Sequence, residues 1–132
     1  MISMENLIIK QTERSPRVFF DYSNHELEFS GEAYPENNDE FYRPIFESLQ
    51  AYLNEEDDAI LNFKFKLVYF NSSSARMLMK LFELLDESAG KGRKVFIEWY
   101  YQEDDDTMHE FGEDYSEDIE HASFTMKVYS GD

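Results

Sequence analysis

Four consecutive residues, Asn71-Ser72-Ser73-Ser74, place three hydroxyls at one point of the chain. They follow the apolar run Leu67-Val68-Tyr69-Phe70 and precede a helical pattern that begins at Ala75. Hydroxyls at a helix start have three uses. They cap free N–H groups of the first turn. They also accept a phosphoryl group where those N–H groups and the helix dipole favour an anion. Pattern alone favours capping. A third use, as a nucleophile, needs a base. The three histidines are His25, His109 and His121, and none has a recognisable catalytic context. No Gly-x-Ser-x-Gly elbow surrounds Ser72, so hydrolysis has little support.

Other chemistry-bearing groups are weaker still. Asp104-Asp105-Asp106 with His109 offers oxygens and an imidazole to a divalent cation. The run lacks the alternating acidic spacing and glycine of a calcium loop, and a solvated helix start is the better reading. Trp99-Tyr100-Tyr101 reads as sheet filling, and no Gly-rich loop for nucleotide phosphates is present. With no cysteine there is no disulfide and no thiolate metal site. No cofactor and no metal is expected.

The elements that position the hydroxyls must come from a folded chain. The protein has 132 residues, 29 acids against 12 bases, and a formal net charge of −17. Disordered acidic chains lack aromatics, but here 17% of residues are aromatic, with 12 Phe and 9 Tyr. That suits one compact domain spanning 1–132. The negative charge argues against nucleic acid and anionic membrane surfaces as partners. The N-terminal residues lack a secretory pattern and no apolar run is long enough to span a bilayer, so a cytoplasmic location is expected.

Periodicity predicts the order β-β-β-α-β-α-β-α-β. Leu7-Ile8-Ile9 is a short strand. Arg17 to Tyr22 and His25 to Ser30 flank Ser23-Asn24 as a hairpin. Residues 31–38 read as a loop, with Asn37 or Asn38 capping a helix whose stripe is Phe41, Ile45, Leu49 and Tyr52. Residues 55–58 are a solvated acidic turn. Residues 59–70 form the strongest strand, with Leu61, Phe63, Phe65, Leu67 and Tyr69 on the core face. The second helix runs from about Ser73 to Ser88 on Ala75, Leu78, Leu81, Phe82 and Leu85, with Met77 and Leu84 off that stripe. Residues 94–101 form a strand. Residues 103–120 hold ten acids and no Lys or Arg, yet Met108, Phe111, Tyr115 and Ile119 keep helical spacing. Residues 124–129 close the chain as a strand. Helices alternating with strands predict an α/β fold: one mixed sheet, an N-terminal hairpin, parallel later strands and about three helices on one face.

Three stretches resemble the SiaC-type regulatory phosphoproteins, small bacterial domains whose fold is similar to the STAS domains of anti-sigma-factor antagonists. Gly31-Glu32-Ala33-Tyr34-Pro35-Glu36-Asn37 resembles the family's Gly-x-x-Tyr-Pro-Glu-Asn loop. Leu67 to Ser74 resembles its strand-to-helix segment, in which an Asn precedes a Thr/Ser phosphoacceptor. Phe96-Ile97-Glu98-Trp99-Tyr100-Tyr101, with Asp104-Asp105 and Gly112-Glu113-Asp114-Tyr115, resembles its C-terminal part. The match spans nearly the whole chain.

The resemblance implies a non-catalytic protein of a partner-switching system. A Ser/Thr kinase adds a phosphate, a PP2C-like phosphatase removes it, and the unmodified form engages an effector such as a diguanylate cyclase. Matched by position, the phosphoacceptor falls on Ser72, where the family often has Thr; Ser73 is the second candidate because three serines adjoin. Asn71, Ser74, Met77 and Leu84 become expected partner contacts, although peripheral core is an equal reading for Met77 and Leu84. Tyr34, Pro35, Glu36 and Asn37 form either a rim loop that meets partners or a plain turn with a helix cap. The competing function is an acidic adaptor or inhibitor that works by charge complementarity through residues 103–120, without phosphorylation.

Overall fold

The computed structural model describes residues 5–55 and 58–129. Residues 56 and 57 of the expected acidic turn lie outside that range. The order is β1 (Leu7–Ile9), β2 (Arg17–Asp21), β3 (Glu26–Ala33), α1 (Asn38–Leu53), β4 (Leu61–Phe70), α2 (Ser72–Gly90), β5 (Val95–Tyr101), α3 (Asp106–Glu117) and β6 (Ser123–Val128). The six strands form one mixed sheet in sequence order. β1, β2 and β3 pair antiparallel, and β3 to β6 pair parallel.

Each parallel step advances one strand in the same direction, so right-handed crossovers place α1, α2 and α3 on one face. The core lies between that face and the helices. Val18, Phe20, Leu27, Phe29, Leu61, Phe63, Phe65, Ile97 and Trp99 from the sheet meet Ile45, Leu49, Leu78, Leu81 and Leu85 from α1 and α2. The alternate residues face outward as a charge-paired ladder. Glu28 bridges Arg17 and Lys66, and Glu98 pairs with Lys127.

The hairpin turns through a single 3-10 turn at Tyr22–Asn24, with His25 left-handed at φ +57°. Three expectations need correction. β3 runs through Gly31 to Ala33, which the sequence assigns to a loop. The α1 stripe uses Tyr42 in place of Phe41; Tyr42 is buried and Phe41 only half-buried.

The third correction concerns β4. Gly31 pairs with Leu67, but the next residue, Glu32, pairs with Tyr69. Val68 is thus an extra residue, a bulge, and it reverses the alternation beyond it. Tyr69 points outward at 50% exposure, while Phe70 turns into the core at 6%. Gly31 supplies the matching distortion with φ +107°, a conformation that side chains disfavour.

Candidate functional site

Because β3, β4 and β5 are parallel, their C-terminal ends and the starts of α1, α2 and α3 gather at one end of the sheet. Asn71 leaves β4 and caps α2: its side-chain oxygen accepts the Ser74 N–H at 2.9 Å, and its carbonyl accepts the Ala75 N–H at 2.9 Å. The capping function of this run therefore belongs to Asn71 and leaves the serines for other work.

The three serines occupy different environments because successive helical residues point about 100° apart. Ser72 is exposed, Ser73 half-buried and Ser74 fully buried. Ser74 accepts a hydrogen bond from the Tyr42 hydroxyl at 2.9 Å. Burial pushes the Tyr42 phenol up to about 12, against the pull of the Ser74 hydrogen bond, so it remains a donor. Ser74 is thereby corrected from an expected partner contact to an internal fastening between α1 and α2. From the other side, the Tyr115 hydroxyl of α3 donates to the Ala75 carbonyl at 2.9 Å. Phe70 beneath packs its ring against Phe111 at 4.7 Å and Trp99 at 6.0 Å.

The Tyr34–Asn37 loop lies beside this helix start. The Asn71 N–H donates to the Ala33 carbonyl at 3.3 Å, and Ala33 pairs with Phe70. The outward turn of Tyr69 at the bulge brings its ring edge-on to Tyr34 at 5.6 Å. Glu36 pairs with Arg14, whose carbonyl accepts the Tyr34 N–H. Asn37 caps α1, accepting the Glu40 N–H at 3.0 Å. Pro35 is half-buried between these anchors. The loop is thus both a rim beside Ser72 and a turn with a helix cap.

Met77 and Leu84 are half-buried and pack against the core. Met77, Tyr42 and Phe46 line a groove of 470 Å³ between α1 and α2. Leu84 lines a smaller hollow with Leu53 and Gln50.

The remaining groups have other partners. Asp105 caps α3, accepting the Met108 N–H at 3.1 Å. His109 pairs with Glu113 at 3.0 Å, His25 shares a hydrogen bond with the Tyr52 hydroxyl at 2.6 Å, and His121 lies 4.0 Å from Glu120. None of these contacts involves Ser72. Among the described residues, no group of three or more His, Asp or Glu is placed to hold a metal, and no helix is long and apolar enough to cross a membrane.

The sequence pattern of the SiaC family of regulatory phosphoproteins matches residues 9–129. The chain belongs to the SiaC family. SiaC of Pseudomonas aeruginosa has the same fold at a TM-score of 0.87 and 27% identity, over 96% of this chain and all of that one. The crystal structure of apo-SiaC from the same organism aligns at 0.82 and 28%, again over 96% of this chain and all of that one. A third structure contains the diguanylate cyclase SiaD in complex with its activator SiaC. The matched chain of that complex aligns at 0.87 and 27%, over 93% of this chain and 99% of that one. An uncharacterised protein sequence of Pseudomonas aeruginosa strain UCBPP-PA14 is 28% identical over 98% of this chain and 99% of its own length.

Sequence reasoning overlooked two residues that fasten this helix start, Tyr42 and Tyr115. Tyr42 sits one position from the residue chosen for its stripe, and its hydroxyl carried no signal of a partner. Tyr115 enters the sequence reading through its helical spacing, which carries no signal of a partner for its hydroxyl.

Proposed function

We propose that this chain is a non-catalytic switch protein whose unmodified form binds and activates a diguanylate cyclase, and that phosphorylation of Ser72 interrupts the complex. The observation that carries the proposal is the contrast at the start of α2. Ser72 is exposed and uncommitted to capping, while Ser74 is buried against Tyr42. Ser73, half-buried, is the second candidate for the modified residue. Family membership and the cyclase complex of a relative support the reading.

In this scheme a Ser/Thr kinase transfers the γ-phosphoryl group of ATP to the Ser72 Oγ, releasing ADP, and a PP2C-like phosphatase returns the hydroxyl and free phosphate by hydrolysis. The phosphate adds about −1.5 to −2 charges at one surface point. Docking a partner there would then desolvate a dianion, which opposes binding. The contact surface comprises the outer side of α2 with Met77 and Leu84, the half-buried Asn71, and the rim Tyr34-Pro35-Glu36-Asn37. All of these reactions take place in the cytoplasm.

The deciding experiment is intact-mass analysis after incubation with the cognate kinase and ATP. The wild type should gain one phosphate, Ser72→Ala none, and Ser74→Ala one. If Ser72→Ala is modified as fully as the wild type, the site assignment fails. If no phosphate is gained and effector binding falls with neutralisation of residues 103–120, the adaptor reading replaces the switch.

A further inference from the structure

Three arginines stand near the Ser72 end of the sheet, Arg14 before β2, Arg43 on α1 and Arg76 on α2, and two of them are already engaged. Arg14 pairs with Glu36, and Arg43 pairs with Asp39. Arg76 is exposed on α2 and, among the described residues, has no ion pair. It stands four residues after Ser72, one helical turn along the same outward side. Side chains at that spacing have Cβ atoms about 5–6 Å apart, and an acid placed N-terminal to a base is the favoured order. A guanidinium presents a planar fork of donors that matches two phosphate oxygens at once. Lys80 lies a further turn away, about 12 Å along the axis from Ser72, beyond direct contact.

We propose that Arg76 is the phosphate-holding residue of this protein: once Ser72 is phosphorylated, its phosphate is captured by the Arg76 guanidinium within the same helix. The inference rests on Ser72 being the modified residue. It adds a second consequence to the modification. The unmodified protein offers a hydroxyl and, one helical turn away, an exposed guanidinium. The phosphorylated protein withdraws both, because the cation is spent internally. The pair also holds the phosphate on the outer crest of α2, away from the Met77 groove.

The test separates this from the identity of the site. Phosphoserine is incorporated at position 72 during translation, so no kinase is needed, and the second ionisation of the phosphate is followed by phosphorus NMR. The pKa should be lower in the otherwise wild-type protein than in Arg76→Gln by about half a unit, as expected of an exposed charge pair. Arg76→Lys should retain part of the shift, and Lys80→Gln should leave the value unchanged. Equal pKa values with and without Arg76 overturn the proposal. An equally large effect of Lys80→Gln also overturns it, since the cause is then the general field of the surface. Failure of the kinase to modify Ser72 would sink the switch reading instead and would leave this titration unaffected.

Discussion

The Tyr42 hydroxyl donates to the Ser74 hydroxyl at 2.9 Å, in a buried contact that ties α1 to the first turn of α2. Two polar groups with no access to water satisfy each other, two residues from the exposed Ser72. The helix start is therefore fastened to α1 from within.

That bond can be weighed. Tyr42→Phe leaves the Ser74 hydroxyl buried with its partner removed, at a cost of about 1–3 kcal/mol. In the Tyr42→Phe background, Ser74→Ala should cost less than it does in the wild type. Urea unfolding of the four proteins measures the coupling. Additive losses would mean that the two hydroxyls do not act as a pair.

Asn71 should matter to stability more than its neighbour Ser72. Asn71→Ala removes the side-chain acceptor of the Ser74 N–H and should cost about 1 kcal/mol. Ser72→Ala, at an exposed position, should change stability by less than about 0.5 kcal/mol. Thermal unfolding checks both. Equal losses would show that capping is shared along the serine run.

Asp86 of α2 links that helix to the turn before β6, accepting N–H groups from Glu120, His121 and Ala122 at 3.1, 2.7 and 2.9 Å. Partial burial pushes its carboxyl up, but the three backbone donors outweigh that and hold it below the ordinary value of 3.8. A carboxylate with a depressed folded pKa contributes stability above its unfolded pKa and loses it as the pH falls through the folded value. Asp86→Ala should therefore cost about 1–3 kcal/mol at neutral pH. The gap between variant and wild type should narrow as the pH falls below about 3.9. Denaturant midpoints across that pH range test it, and a gap independent of pH would refute the ionic contribution.

Gly112 of α3 is needed for close approach. A Cβ there would stand 2.5 Å from Trp99 Cδ1 and 2.6 Å from Met126 Cε. Trp99 has little room to yield, since its indole N–H donates to the Met108 carbonyl at 2.9 Å. Gly112→Ala should lift α3 from the sheet and cost about 1–3 kcal/mol. A change in the near-ultraviolet signal of Trp99, the chain's single tryptophan, would accompany the loss. An unaltered signal and stability would contradict the packing.

Much of the architecture was legible in the sequence because it is local. All nine main elements appear in the expected order, since period-2 and period-3.6 patterns report which side of a strand or helix is buried. Where reading failed, one residue was enough. Val68 as a bulge exchanged the roles of Tyr69 and Phe70, and no alternation pattern encodes an extra residue in one strand of a pair. Tyr42 takes the buried place expected of Phe41 on α1, sharing a face with Ile45, Leu49 and Tyr52, and a partner across the helix interface offsets the cost of burying its hydroxyl.

The same division holds for the candidate site. The sequence by itself determined that Asn71 and three serines stand at a strand-to-helix junction, and that Arg76 lies four residues after Ser72, because these are properties of contiguous chain. Only the tertiary structure decided which hydroxyl is exposed and which is sealed under Tyr42, and that the Tyr34–Asn37 loop borders the junction. Those outcomes depend on helix packing and on the parallel register of β3 with β4, where residues far apart in the chain must occupy the same few ångströms.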